Sequence, residues 1–182
     1  AEQLKEYEPQ SVIIVGRGSS DHAGVFAKYL IEIESGIPTF SAAPSVATIY
    51  NKPLKLAKTL AIIISQSGRS PDILEQARQV KASGAFCIAM LNDEEAPLAE
   101  IVDCVVPLAV GKELSVAATK SYMATLSAIL QLIAFWQNDE ELIEALNQLP
   151  ERLKLVVNAE SQLKTVDLEN TKNLVVLGRG LG

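Results

Sequence analysis

The sequence has few of the histidine and cysteine residues that build zinc sites. It contains one histidine and two cysteines among 182 residues, and a single imidazole argues against a His-based zinc site. The two cysteines, Cys87 and Cys104, lie in strand-like apolar runs without the spacing of metal ligands. We therefore expect both to be small core residues, and we expect no bound metal.

The chain also lacks a long apolar segment and an excess of positive charge. Its longest mainly apolar stretch, residues 122–136, is shorter than the roughly 20 residues of a membrane span. Residues 12–15 are too few for the apolar core of a signal peptide. The net charge of −6 and the sequence pI of about 4.9 argue against a general nucleic-acid binder. We expect a cytoplasmic protein with no nucleic-acid or membrane partner.

Two nucleotide-binding motifs are missing. The segment Gly16-Arg-Gly-Ser-Ser-Asp21 follows a strand and opens a helix, but the dinucleotide motif G-x-G-x-x-G requires glycine where Asp21 stands. A carboxylate there would repel a pyrophosphate, whereas the hydroxyls of Ser19 and Ser20 suit a single phosphate or a sugar. No G-x-x-x-x-G-K-[ST] motif occurs, which argues against a nucleotide triphosphatase.

Strands and helices alternate along the chain, and 48% of the residues are hydrophobic. The pattern predicts an α/β fold, a three-layer sandwich whose mainly parallel, doubly wound sheet is covered by helices on both sides. The predicted strands cover residues 12–15, 37–41, 60–64, 85–91 and 104–108, and the predicted helices cover residues 22–34, 44–50, 71–83, 98–102 and 119–136. Ligands of such sheets bind beyond the carboxyl ends of the strands.

The segment from Leu60 to Asp72 is the most informative part of the chain. A buried apolar strand leads into the small and hydrogen-bonding residues Ser65, Gln66 and Ser67, and Ser70 then stands at an N-cap position before a proline. This pattern collects hydroxyls and backbone N–H groups at the positive end of a helix, which suits a phosphate. An ordinary strand-to-helix connection in which Ser70 only caps the helix is the alternative.

A third loop, residues 111–120, precedes the long apolar helix. Thr119 and Lys120 are either the cap and an exposed first residue of that helix or part of a ligand site. A lysine at a helix N-terminus is unfavourable for the helix dipole, which favours a ligand-facing role. His22 is interpreted as a residue at a helix start rather than a catalyst.

These three loops together resemble the sugar isomerase (SIS) domain family, in particular the isomerase half of glucosamine-6-phosphate synthase and the stand-alone type II glucosamine-6-phosphate deaminases. The Ser-Gln-Ser-Gly loop is unchanged here, and Arg17 and Ala118 replace a cysteine and a serine of the synthase loops. The resemblance implies a site that binds the sugar phosphate through Gly18, Ser19, Ser20, Ser65, Gln66, Ser67, Ser70, Val116, Ala117 and Lys120.

A repeat predicts the domain organisation. The segment Val12-Ile-Ile-Val-Gly-Arg-Gly18 recurs as Leu174-Val-Val-Leu-Gly-Arg-Gly180, which indicates duplicated domains in a longer protein. We expect a first SIS domain over residues 1–150, a helical linker over 151–172 and the first strand of a second SIS domain over 173–182. The resemblance places the catalytic glutamate, lysine and histidine in that second domain, beyond Gly182.

The resemblance implies an enzyme that converts an amino-sugar 6-phosphate, such as glucosamine 6-phosphate, to fructose 6-phosphate and ammonia. No metal or redox cofactor is needed for this chemistry. The 119–136 helix is apolar on most of its circumference, so it is either deeply buried or shared with a second subunit, and we expect a homodimer. Two alternatives stay open: the isomerase half of a glutamine-dependent synthase, and a regulator that senses a sugar phosphate without catalysis.

Overall fold

Five parallel strands form the central sheet of the computed structural model, which describes residues 1–114, 118–160, 164–178 and 180–181. The strands are β1 (Ser11–Val15), β2 (Thr39–Ser41), β3 (Thr59–Ile64), β4 (Phe86–Leu91) and β5 (Cys104–Pro107). The helices are α1 (Glu2–Tyr7), α2 (Ser19–Ser35), α3 (Pro44–Thr48), α4 (Pro71–Ala82), α5 (Thr119–Gln137), α6 (Glu140–Val157) and α7 (Thr165–Leu168).

The order of the strands places a crevice at the middle of the sheet. The order is β2-β1-β3-β4-β5, so Val12 of β1 lies between Thr39 of β2 and Leu60 of β3. From β1 the chain runs to one edge of the sheet, and from β3 it runs to the other. The connections that leave these neighbouring strands therefore diverge, which opens a crevice beyond their carboxyl ends.

Helices cover both faces of the sheet, as the sequence predicts. Successive strand residues point to opposite faces, so Ile14 and Ile62 pack in the core with α2 and α5, whereas Ile13 and Ile63 pack in the core with α4. All six residues of β3 are buried. The predicted three-layer α/β architecture with a parallel, doubly wound sheet is confirmed.

Two predicted helices differ from the structure. The predicted start of α2 at residue 22 is wrong, because the helix begins at Ser19 immediately after Gly18, whose φ of 59° allows the sharp turn out of the strand. Residues 98–102 form successive turns rather than a helix. Their backbone bonds join residues three apart, as from the N–H of Ile101 to the carbonyl of Leu98 at 3.1 Å.

The cysteines occupy the core positions that the sequence predicts. Cys87 lies in β4 with no exposed surface, and burial raises the pKa of its thiol to about 11. Cys104 begins β5 and is partly buried. Both are free thiols, and the raised pKa keeps the Cys87 thiol protonated and unreactive at neutral pH.

The predicted domain boundaries remain predictions. Helix α6 runs without a break across residues 150 and 151, with Pro150 inside it. Residues 174–177 are exposed and pair with no strand among the described residues, so the strand of a second domain stays an expectation. None of the helices in the described parts of the chain is long and apolar enough to cross a membrane.

Candidate functional site

A polar cleft of about 220 Å³ lies at the carboxyl ends of β1 and β3. Its walls come from the loop after β1, the loop after β3 and the first two turns of α5. The lining residues among those that the structure describes are Arg17, Ser19, Ser20, Ala23, Ile64, Ser65, Gln66, Ser67, Ser70, Ile73, Leu108, Ala118, Ser121, Tyr122 and Thr125. Six of the residues predicted for the site therefore meet in one cleft, although they come from two separate segments.

Backbone and side-chain hydrogen bonds fix the loop after β3. Ser65 is buried, and its Oγ accepts a hydrogen bond from the N–H of Gly68 at 3.1 Å. The carbonyls of Gln66 and Gly68 accept bonds from the N–H groups of Asn92 and Leu98, both at 3.2 Å. The loop is thereby tied to the segment after β4 and presents its hydroxyls in a fixed arrangement.

Ser70 occupies the N-cap position of α4, but its hydroxyl does not cap the helix. Its backbone is extended, with ψ of 124°, and its side chain accepts no hydrogen bond from the first turn. The side chain is exposed and lines the cleft. The interpretation of Ser70 as an ordinary capping residue is therefore wrong, and its hydroxyl is available to a ligand.

The start of α2 forms the opposite side of the cleft. Gly18 is the N-cap of this helix and, unlike its neighbours Arg17 and Ser19, is not among the described residues that line the cleft. Ser19 and Ser20 follow in the first helical turn, and both line the cleft. The N-termini of α2 and α4 thus face one crevice, and each carries a partial positive charge.

Helix α5 contributes hydroxyls that the sequence analysis missed. Ser121 and Thr125 are buried and line the cleft. Thr125 Oγ1 donates to the carbonyl of Ser121 at 2.7 Å, and Ser121 Oγ donates to the carboxylate of Glu113. Two hydroxyls four residues apart in a helix share one face, and this spacing was the signal available in the sequence.

Glu113 caps α5 from outside the helix. Its carboxylate accepts hydrogen bonds from the N–H groups of Lys120 at 2.8 Å and Ser121 at 3.1 Å. The hydroxyl of Ser121, followed by these two N–H groups, holds the pKa of Glu113 below its usual value. Sequence reasoning gave this residue no role.

Lys120 does not join the other predicted residues in the cleft. Its Nζ donates to the backbone carbonyls of Val110 at 3.2 Å and Lys112 at 3.3 Å, so the side chain braces its own loop. Its role in ligand binding stays a prediction. Val116 and Ala117, which were also predicted for the site, lie outside the described residues.

Two ion pairs involve residues of the loops after β1 and β3. Arg17 pairs with Asp72, and the Arg17 guanidinium holds the pKa of that carboxyl below its usual value. Arg69 pairs with Asp93 at 2.8 Å, and this pair likewise lowers the pKa of Asp93. Of the two arginines, only Arg17 is among the described residues that line the cleft.

Among the described residues, no group of three or more His, Cys, Asp or Glu side chains could hold a metal ion. His22 is exposed in the first turn of α2, where the sequence interpretation placed it, and it is not among the described lining residues of the polar cleft. The chemistry of the cleft is that of neutral hydroxyls, an amide, helix N-termini and one guanidinium, which together suit an oxyanion.

The structure is that of an α/β protein with a polar cleft at the switch point of a parallel sheet. The chain belongs to the SIS domain family, whose model matches residues 7–135. The resemblance drawn from the three loops is thus confirmed.

Relatives share the domain at moderate identity. The chain is 31% identical over 182 residues to the isomerizing glutamine–fructose-6-phosphate aminotransferase of Corynebacterium glutamicum, with 94% of the chain and 29% of that protein covered. A crystal structure of a provisionally named phosphosugar isomerase from Silicibacter pomeroyi DSS-3 matches with a TM-score of 0.80 and 41% identity over 82% of the chain and 46% of that protein. The C-terminal domain of the Francisella tularensis glucosamine–fructose-6-phosphate aminotransferase matches with a TM-score of 0.73 and 27% identity, covering 86% of the chain and 47% of that structure.

The chain spans less than a third of the length of the Corynebacterium glutamicum relative and about half of the two solved structures.

Proposed function

We propose that the chain is the sugar-phosphate-binding domain of an enzyme that converts an amino-sugar 6-phosphate to a ketose 6-phosphate and ammonia. The observation that carries the proposal is the cluster of hydroxyls from Ser65, Ser67 and Ser70 around the N-terminus of α4. A phosphate bound there receives hydrogen bonds from these hydroxyls and from backbone N–H groups, and it is stabilised by the helix dipole.

The sugar would extend from this phosphate toward the opposite wall of the cleft. Ser20, Ser121 and Thr125 present hydroxyls there, and neutral hydroxyls suit the polyol chain of a sugar better than they suit a second charged group. Binding at the phosphate also provides binding energy remote from the reacting carbons, which an enzyme can use to orient them.

The proposed reaction is an isomerisation followed by hydrolysis. After ring opening, a base moves a proton from C2 to C1, and a second proton passes from the amino nitrogen to the C1 oxygen, which leaves an imine at C2 and a hydroxyl at C1. Water then adds to the imine and gives a ketone with loss of ammonia. Asp72 and Glu113 are carboxylates that hydrogen-bond to the lining residues Arg17 and Ser121. These partners favour the ionised form, and the lowered pKa values make both carboxylates weak bases. We therefore propose that the acid–base groups lie outside residues 1–182.

The relatives support an isomerase function in general. The Corynebacterium glutamicum protein is named for isomerisation with amino transfer on fructose 6-phosphate, and the Silicibacter pomeroyi protein is named as a phosphosugar isomerase. The match to 94% of this chain in the former supports a second candidate, the isomerase half of a glutamine-dependent synthase.

A coupled ammonia assay on the full-length protein separates these candidates. We expect glucosamine 6-phosphate to yield fructose 6-phosphate and ammonia without glutamine or added metal. Formation of glucosamine 6-phosphate from fructose 6-phosphate only when glutamine is supplied would establish the synthase instead. Tight sugar-phosphate binding without turnover of any amino-sugar phosphate would contradict the enzyme proposal and favour a sensor.

We also propose a homodimer. Apolar side chains of α2 and α5 are exposed, with 61% of Ile33, 53% of Met123 and 51% of Phe135 accessible to solvent, and an oligomer would cover such a surface. Light scattering on the full-length protein should give twice the mass of one chain, and a monomer at micromolar concentration would contradict this part of the proposal.

A further inference from the structure

The ion pair of Arg17 and Asp72 joins the two loops that form the cleft. Arg17 lies between Gly16 and Gly18 in the loop after β1, and Asp72 is the second residue of α4. The guanidinium Nη1 donates to Asp72 Oδ2 across the crevice between the two strands. The two residues are 55 positions apart in the chain, so the pair is a tertiary contact at the site itself.

Asp72 poses an electrostatic problem for an anionic ligand. Its carboxylate stands in the first turn of α4, beside the helix N-terminus that Ser70 opens. A carboxylate at this position interacts favourably with the helix dipole, so it competes with a phosphate for the same positive potential and repels it. The side chain is 27% exposed, and solvent alone therefore screens its charge incompletely.

We propose that Arg17 is a positioning residue that acts through Asp72, neutralising this carboxylate so that the cleft accepts a phosphate. Among the cleft-lining residues that the structure describes, Arg17 carries the one cationic side chain. Arg69, which is closer in sequence to the hydroxyl loop, is paired with Asp93 instead. The inference rests on the proposed function, because it assigns the anion in the cleft to a sugar phosphate.

The alternative role for Arg17 is direct contact with the ligand, and a double-mutant cycle distinguishes the two roles. If Arg17 acts through Asp72, then removing the carboxylate removes the need for the guanidinium. If Arg17 donates hydrogen bonds to the ligand, then its removal lowers the ligand affinity whether or not Asp72 is charged. The coupling between the two substitutions separates these cases.

The test is calorimetric titration of glucosamine 6-phosphate into the full-length protein and the variants Arg17→Ala, Asp72→Asn and the double variant. We expect Arg17→Ala to weaken binding by about tenfold or more, since an unpaired carboxylate is left beside the phosphate. The double variant should bind within about threefold of the wild type, and Asp72→Asn alone should bind at least as tightly as the wild type. A double variant as weak as Arg17→Ala would overturn the inference.

The variant Arg17→Lys tests whether the weaker binding of Arg17→Ala comes from the lost charge or from a folding defect. It retains the positive charge and should keep most of the wild-type affinity, whereas an affinity equal to that of Arg17→Ala would contradict neutralisation of Asp72.

Inorganic phosphate is titrated into the same set of proteins. Binding of phosphate with the expected coupling, but no binding of the amino-sugar phosphate, would overturn the proposed substrate and leave the inference standing. Absence of binding by both to the wild type would overturn both.

Discussion

The Oγ of Ser65 accepts a hydrogen bond from the N–H of Gly68 at 3.1 Å, and this bond closes the loop after β3 upon itself. Both residues are buried, whereas Ser67 between them is exposed to the cleft. Ser65 therefore holds the loop together while it also lines the cleft, whereas Ser67 lies exposed at the cleft surface.

Replacement of Ser67 should weaken binding without weakening the fold. Ser67→Ala removes a hydroxyl donor to the phosphate, at a cost of roughly 1–3 kcal/mol of binding free energy. Calorimetry should show this loss for glucosamine 6-phosphate and a much smaller loss for glucosamine. Ser83→Ala, at the other end of α4, is the matched control and should bind as the wild type does. Equal losses for both ligands would argue against a phosphate contact.

Replacement of Ser65 should lower both the stability of the fold and the affinity for the sugar phosphate. Ser65→Ala leaves the buried N–H of Gly68 without its partner, which costs about 1–3 kcal/mol of the free energy of unfolding. Sugar-phosphate affinity should fall as well, since the loop loses its fixed form. Urea unfolding monitored by circular dichroism measures the first effect. A Ser65→Ala protein of unchanged stability would show that the bond does not hold the loop.

Gly68 should tolerate no side chain. Its φ is 60°, and an added Cβ would lie 2.7 Å from the Cβ of Ala96. Gly68→Ala therefore combines backbone strain with a steric clash, and we expect a loss of about 2–4 kcal/mol in the free energy of unfolding. Gly36→Ala is the control, because Gly36 has a φ of 68° and open space around it; its cost should be limited to about 1–2 kcal/mol. Equal costs at both positions would show that the contact with Ala96 relaxes freely.

Glu113 should make stability depend on pH. Its pKa is lowered in the folded protein, chiefly by the hydroxyl of Ser121, so its contribution is complete above the unfolded value of about 4.3 and is lost as the pH falls through the lower folded value. Glu113→Gln, which cannot ionise, should be less stable than the wild type at neutral pH. The difference in unfolding midpoint should shrink as the pH falls below the unfolded value and the Glu113 carboxyl becomes protonated. A difference that is constant with pH would show that the Glu113 carboxylate does not cap α5.

The sequence predicts the strands well because each is a short apolar run bounded by turn residues. The element that it predicts wrongly, residues 98–102, shows where such patterns mislead. Leu98 is fully buried, and the spacing of apolar residues after it fits a helix, but the backbone closes into turns with bonds between residues three apart. Apolar spacing alone does not separate one turn from a continuing helix.

The site is predictable where one segment holds several of its residues. The segment from Ser65 to Ser70 predicts a phosphate loop because the buried strand, the hydroxyl residues and the start of the helix follow one another directly in the sequence. Ser121 and Thr125 reach the cleft only because α5 packs beside α2 on the same face of the sheet. The pairing of Arg17 with Asp72 depends on β1 and β3 being neighbours, which is a property of the strand order and not of either loop.

The most direct test of the central claim is a crystal structure of the full-length protein with glucosamine 6-phosphate bound. We predict that the phosphate lies within hydrogen-bonding distance of the hydroxyls of Ser65, Ser67 and Ser70, at the N-terminus of α4, with the sugar extending toward Ser121. A phosphate bound away from the Ser65–Ser70 loop, with the cleft left unoccupied, would contradict the account.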